Sequence, residues 1–272
     1  MNIKFLGTAA AEGWPALFCQ CDACKRAQEL GGKNIRTRAS CLIDNRYLVD
    51  FSPDTYMHKL IYNLDLSQVE SCFITHSHSD HFHPLDFEMR LDGFAHIKDR
   101  IPLNLYGNSK VKKLFDYALS GMDFTDVVNY HLLQPFDEVE AGDVKLVALP
   151  ADHDKREDCF IYIIEINRKT LLYGHDSGYY PKKTWDELEK YIFDGVILDC
   201  TFGPKDCRSG HMGLSTDIDV KNRFLEIGSA HNNTKFIITH FSHNMKLMHH
   251  EIEKIAKSHG FITAYDGLEV EI

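Results

Sequence analysis

The stretch Thr75-His76-Ser77-His78-Ser79-Asp80-His81 constrains this chain more than any other, because four metal-binding side chains fall within six positions directly after the apolar run Cys72–Thr75. In an extended backbone side chains alternate, so His76, His78 and Asp80 share one side while His81 points elsewhere, and one short loop can feed two metal ions. Ser77 and Ser79 are small enough to let that loop turn tightly. Three further donors also follow apolar runs: His153 after Val147–Pro150, Asp176 after Leu171–Tyr173, and His240 after Ile237–Thr239. Ligand-type side chains thus gather at the ends of core strands, where loops build sites on a rigid scaffold.

Strand-like runs rich in β-branched and aromatic residues occur at Ile3–Leu6, Cys41–Ile43, Tyr47–Phe51, Cys72–Thr75, Val144–Leu149, Phe160–Ile166, Thr170–Tyr173, Val196–Leu198 and Phe236–Thr239. Helical patterns fall at Thr55–Leu64, Pro84–Phe94, Ser109–Leu119, Pro181–Phe193, Ser215–Ile227 and Met245–Ser258. Apolar strands and amphipathic helices both need covering, which predicts an α/β (α+β) chain with two sheets face to face and helices outside. No linker, low-complexity tract or tandem repeat divides it, so one continuous domain over residues 1–272 is expected.

A formal charge of −10 with no basic run disfavours a large polyanionic partner and favours a small substrate. The opening MNIKFLGTAAAEGW lacks the charge-then-apolar pattern of a secretory leader, and no apolar run is long enough to span a bilayer. A soluble, cytoplasmic protein is expected. In a reducing compartment, 8 Cys alongside 16 His point to metal rather than disulfides. Cys19, Cys21 and Cys24 form one such cluster, which a tetrahedral structural zinc would complete with a fourth donor. His243, three residues after His240, is the first choice; Cys41, Cys72 and Cys207 are the alternatives. His211 stands in a Gly-flanked loop before a helix, where it can reach into a site as a general acid. Asp199 is a candidate to orient a ligand histidine. Asp50 ends a strand and reads as either a turn former or a partner of the site. His83, His96, His131, His175, His231 and His259 read as surface or helix-cap residues, and His249-His250 as a solvated helix face.

The order H-x-H-x-D-H, then a lone His, an Asp and a His resembles the metallo-β-lactamase fold superfamily over the whole chain. That resemblance implies a four-layer αββα sandwich with a dinuclear site at one edge. By motif, His76, His78 and His153 would hold one metal, Asp80, His81 and His240 the second, and Asp176 would bridge them. The C-x-C-x2-C run with T-H-x-x-H is similar to the branch that contains phosphoribosyl cyclic phosphodiesterases and proteins of pyrroloquinoline quinone synthesis. Two Zn²⁺ or Mn²⁺ ions, one structural zinc and a homodimer are what the resemblance implies. The expected activity is opening of a small, cyclic phosphate ester by a hydroxide generated at the metal pair. His211 resembles the leaving-group acid of those phosphodiesterases, with Asp80 and Asp199 as further catalytic candidates. The alternatives are a quinone-synthesis-like protein with oxidative or hydrolytic chemistry, a tRNA-processing nuclease, and a non-catalytic zinc scaffold. Specificity is expected in the loops Phe82–Asp99, Gly121–Tyr130 and Gly203–Gly210.

Overall fold

A computed structural model describes residues 1–98 and 100–272, so the expected loop Phe82–Asp99 ends on a residue outside the described ones. Its strands are β1 (Asn2–Gly7), β2 (Ser40–Ile43), β3 (Tyr47–Val49), β4 (Ser71–Phe73), β5 (Leu103–Gly107), β6 (Val128–Leu132), β7 (Glu138–Ala141), β8 (Val144–Pro150), β9 (Phe160–Ile166), β10 (Lys169–Gly174), β11 (Phe193–Asp199), β12 (Ala230–Thr239), β13 (Phe261–Thr263) and β14 (Glu269–Glu271). One sheet runs β14-β1-β2-β3-β4-β5-β6 and the other β13-β12-β11-β10-β9-β8-β7.

Alternation along each strand explains the layers. Phe5, Val49, Phe73, Leu146, Ile164, Ile197 and Ile237 meet between the sheets. Their neighbours point outward: Leu6, Leu48 and Cys72 from the first sheet, Val147, Ile163, Val196 and Ile238 from the second. Both faces are buried, so the strands read as unbroken apolar runs. Each fully buried Ile or Leu contributes roughly 1.5–3 kcal/mol. The outer faces are covered by α1 (Asp22–Leu30), α2 (Thr55–Tyr62), α3 (Ser109–Ala118), α4 (Lys182–Leu188), α5 (Leu214–Glu226) and α6 (His249–Ser258). Ala23, Cys24 and Ala27 of α1 pack on the second sheet, as do Val220 and Phe224 of α5 and Ile252 of α6; Val111 and Phe115 of α3 pack on the first. This is the expected αββα order. No helix among the described residues is long and apolar enough to cross a membrane.

Strand direction positions the site. β9 is antiparallel to both β8 and β10, and β10, β11 and β12 are mutually parallel neighbours. The C-terminal ends of β8, β10, β11 and β12 therefore lie on one edge. Phe160 N–H donates to Thr75 O at 2.9 Å, which brings the segment after β4 to that same edge.

Several elements depart from the sequence expectation. α1 begins at Asp22, so Cys24 rides on its first turn instead of a loop. The pattern at Pro84–Phe94 closes only a 3-10 helix over Pro84–Arg90. Lys246 adopts a left-handed φ of 65°, which delays α6 to His249. That start turns His249 inward, where its Nδ1 lies 2.9 Å from Nη2 of the buried Arg36, while His250 alone stays exposed.

α5 carries one uncompensated group. Asp217 is fully buried with neither carboxyl oxygen hydrogen-bonded, and burial, with the charge of Asp199 nearby, pushes its pKa well above the ordinary carboxylate range. The folded state then holds a proton that the unfolded chain releases near pH ~3.9. Stability is full below that pH and falls by about 1.4 kcal/mol per unit as pH rises toward the folded pKa. Asp217→Asn should raise the urea midpoint at pH 7 more than at pH 4; an equal shift at both would place the ionised carboxylate in the folded state.

A candidate dinuclear metal centre

Four loops meet at the shared edge. His76, His78, Asp80 and His81 follow β4, His153 follows β8, Asp176 follows β10, and His240 follows β12. Asp176 is their meeting point: its Oδ2 lies 3.7 Å from His76 Nε2, 3.3 Å from His81 Nε2, 3.4 Å from His153 Nε2 and 3.6 Å from His240 Nε2. Donors sharing a tetrahedral cation at bonds of about 2.1 Å stand about 3.4 Å apart. Two groups of donor atoms converge within 4.8 Å of one another, His76/His78/His153 and Asp80/His81/Asp176/His240. His153 Nε2 lies 3.2 Å from His78 Nδ1, and Asp80 Oδ2 lies 3.0 Å from His81 Nε2. All seven expected donors are thus brought together.

The outer nitrogen of each ring is already engaged. His81 Nδ1–H donates to Asp50 Oδ2 at 2.7 Å. The Thr75 hydroxyl donates to Asp50 and so accepts from His76 Nδ1–H at 3.1 Å. His78 Nε2–H donates to Asp154 at 3.1 Å and His153 Nδ1–H to Gly210 O at 3.0 Å, while His240 Nδ1 pairs with Thr201 Oγ1 at 2.8 Å. These bonds set the tautomers and leave one lone pair per ring facing inward. His76 Nε2, His81 Nε2 and His240 Nε2 are buried with no hydrogen-bond partner. Orphaned polar atoms of this kind are costly unless something binds them. A borderline divalent cation suits imidazole nitrogen and carboxylate oxygen, so the residues fit a metal pair.

The surrounding charges act differently on the two rings His76 and His81. Burial, with His81 beside it, pushes His76 well below the usual imidazole range, so its lone pair is free. Burial acts the same way on His81 but is outweighed by Asp80 and Asp50, which raise it. Burial opposes ionisation of Asp176, yet His240 and His211 hold its carboxyl well below the ordinary range.

Asp199 is fully buried and does not line the cavity. Its Oδ1 accepts the N–H groups of Thr201 and Met212 at 2.9 and 3.0 Å, and its Oδ2 lies 3.0 Å from His211 Nδ1 but 3.6 Å from His240 Nδ1. The ring it steers is therefore His211. His211 Nδ1 also faces Asp176 Oδ1 at 2.8 Å. Burial works against charging His211, but Asp199 and Asp176 prevail and its pKa is pushed up to about 11.

The cysteine cluster forms as a second centre. Sγ of Cys19 and Cys21 lie 3.6 and 3.4 Å from His243 Nδ1, and the donor atoms of Cys19, Cys21, Cys24 and His243 all fall within 4.8 Å of one another. Cys41 and Cys72 are instead buried within the two cores, and Cys207 is not in the group. The Cys24 N–H and His243 pull the Cys21 thiol down to about 6, while burial pushes Cys24 up to about 12. Three sulfurs and one imidazole in this arrangement match a tetrahedral structural zinc.

Several residues here were not singled out by sequence reasoning. Glu157 accepts from Ser77 N–H at 3.0 Å, Ser77 Oγ at 2.6 Å and Asn108 Nδ2 at 2.9 Å, fixing the middle of the His76–His78 loop. Asp152 accepts from Ser209 Oγ and Gly210 N–H, tying the His211 loop to β8. His175, expected at the surface, is buried beside His81 and His240, with ring centroids 5.9 and 5.3 Å away. The cavity over the centre measures about 290 Å³ and is lined by Ala10–Glu12, Phe202, Ser242 and Asn244 as well as by His78, Asp80, His153, Asp176, His240 and His211; His76 and His81 lie beneath it. Among the described residues, none from 82–98, 121–130 or 203–210 lines it, although Phe202 and His211 flank the last of these loops. A larger apolar cavity of about 890 Å³ beneath α2 contains none of the donors, so the smaller one is where chemistry can occur.

The fold and donor groups define a protein of the metallo-beta-lactamase fold carrying candidate metal sites. A family model described as Beta-lactamase superfamily domain matches residues 45–241, and the chain belongs to that superfamily. No curated protein matches the chain. Among solved structures, a diphosphatase from the PhnP family is 22% identical with a TM-score of 0.75, covering 100% of this chain and 97% of that one. Zn²⁺-bound PqqB from Methylobacterium extorquens is 17% identical with a TM-score of 0.76, covering 100% of both chains. The short form of human tRNase Z is 18% identical with a TM-score of 0.69, covering 100% of this chain and 99% of that one. At these identities the likeness is one of fold.

Asp50→Asn removes the acceptor that orients His81 while keeping its shape. Metal affinity, read by chelator competition, is expected to fall about 10–100-fold; an unchanged affinity would reduce Asp50 to a turn residue.

Proposed function

We propose that this chain is a metal-dependent phosphodiesterase acting on a small phosphate ester, with His76, His78 and His153 at one cation, Asp80, His81 and His240 at the other, and Asp176 shared. The observation that carries this reading is the single Asp176 oxygen within 3.3–3.7 Å of imidazole nitrogens from both donor groups. A pair of divalent cations, zinc or manganese, supplies Lewis acidity, which acidifies water and offsets charge on phosphoryl oxygens.

The chain's own groups do the rest. The cavity excludes bulk water on one side and admits an ester of modest size. Asp80 lines it as an ionised carboxylate, since His81 outweighs the burial that would protonate it. Water attacks phosphorus, the bond from phosphorus to the alcohol oxygen breaks, and that oxygen needs a proton. His211 is placed to give it. Asp199 holds Nδ1–H at 3.0 Å, and Nε2, which carries no hydrogen bond among the described residues, is the ring's remaining proton position. With the Asp176 carboxylate shared by cations, Asp199 would be the main partner of His211 Nδ1–H. Asp199 is thus a positioning residue for the acid.

Hydrolysis of bis(p-nitrophenyl) phosphate by the metal-replete protein tests the reading. The acid is read on an ester with an alkoxide leaving group, because p-nitrophenolate departs without a proton: on glycerol 1,2-cyclic phosphate, His211→Ala should lower kcat about 10²–10⁴-fold with bound metal unchanged. A variant that turns over at the parental rate would remove the acid assignment, and a parent that hydrolyses no phosphodiester would remove the function.

A further inference from the structure

The wall of the catalytic cavity opposes its floor in charge. The donors and His211 make the floor a place for an anion once cations are bound. Glu12, on the wall, comes from the N-terminal loop that lies against residues 241–244. Its Oε1 accepts from Ser242 Oγ at 2.5 Å and lies 3.6 Å from His243 Nε2, whereas its Oε2 has no hydrogen bond among the described residues. Behind it stand Cys19, Cys21, Cys24 and His243. Three thiolates around one divalent cation leave a net negative charge there, so the cluster does not neutralise Glu12. No Lys or Arg lines the cavity. Two cations reach its rim and are already bonded there: Arg38 pairs with Asp54 at 2.9 Å and donates Nε–H to Ala11 O at 3.0 Å, and Lys205 Nζ donates to Asn244 O at 2.7 Å. A second anionic group on a substrate would meet a carboxylate and find no partner. A hydroxyl would find a strong, charge-assisted acceptor, and the ring of Phe202 offers an apolar surface for carbon atoms beside it.

We propose that Glu12 is a specificity-determining residue that selects esters bearing one phosphate group and a neutral, hydroxyl-bearing alcohol half and turns away esters carrying a second phosphate. The proposal rests on the phosphodiesterase reading for its chemistry, but its test reads binding. Dissociation constants of methyl phosphate, glycerol 1-phosphate and glycerol 1,3-bisphosphate are measured by calorimetry on the metal-replete protein. Glycerol 1-phosphate should bind about tenfold tighter than methyl phosphate, the size of one charge-assisted hydrogen bond. The bisphosphate should bind at least about tenfold more weakly than glycerol 1-phosphate despite its extra charge.

Glu12→Gln keeps an oxygen for Ser242 and removes the charge, and should bring the bisphosphate within about threefold of glycerol 1-phosphate. Zinc content of the cysteine cluster is determined in parallel. If that variant loses the zinc, Glu12→Asp decides instead: it retains the charge one methylene further back, and should keep rejecting the bisphosphate while losing the preference for glycerol over methyl. Bisphosphate binding as tight as that of glycerol 1-phosphate in the parent, ratios unchanged in the variants, or binding of none of the three overturns the proposal. Failure of the phosphodiesterase reading shows separately, as absent turnover of bis(p-nitrophenyl) phosphate with the binding order intact.

Discussion

One carboxylate oxygen, Asp176 Oδ2, has four imidazole nitrogens within 3.7 Å, contributed by loops that follow β4, β8 and β12. Without a shared positive charge this arrangement would be a liability: desolvated nitrogen lone pairs and ionised carboxylates would face one another with too few protons. The fold accepts that cost because the strand directions leave little choice. β8, β10, β11 and β12 deliver their C-terminal ends to one edge, and the bond from Phe160 N–H to Thr75 O anchors the other sheet's motif beside them. The rigid inter-sheet core then holds the loops at a separation suited to cations and not to each other.

Precision comes from a layer of partners around the donors. Asp50 is the clearest case, since it takes the Thr75 N–H and hydroxyl and also His81 Nδ1–H, so one buried side chain orients two consecutive parts of the motif. Asp50 and His240 both adopt a left-handed backbone with φ of 61°. That conformation costs a residue with a Cβ roughly 1–2 kcal/mol. It persists where surroundings overdetermine it. Asp50 N–H is tied to Phe73 O at 2.9 Å, and Phe241, next to His240, is tied through its N–H to Thr8 O at 2.8 Å.

What the sequence made legible follows from what local pattern can carry. Donors placed directly after apolar runs could be read because both the strand and the donor are local facts, and the nine expected strands all appear. β5, β6, β7, β13 and β14 were not read: β6 and β7 are half-exposed edge strands and β13 and β14 are three residues each, too short for a period to show. His175 shows the other limit. It looks like any lone polar residue after a strand, and only alternation from the buried Tyr173 hints that it turns inward. Glu157, Asp152 and Glu12 act through partners 57 to 230 positions away, and no spacing rule reports such pairs. The alternation expected from an extended 76–81 loop also breaks down, because His81 N–H and Phe82 N–H both close onto His78 O and curl the segment into a turn. It is this turn that presents His81 to the second donor group.

The two candidate centres share four residues of chain. His240 faces Asp176, His243 faces Cys19 and Cys21, and between them Phe241 is fully buried, with the Arg36 guanidinium stacked 4.4 Å from its ring centroid. Binding at a site that exists only in the folded state adds directly to folding free energy. For this chain the gain from a metal at the cysteine cluster would be deposited on the 240–243 segment, which otherwise depends on a strained His240 and on hydrogen bonds to the N-terminal loop. A metal held by the cysteines would stiffen the edge that carries the seven donors without contacting them, through the same loop that brings Glu12 to the cavity wall.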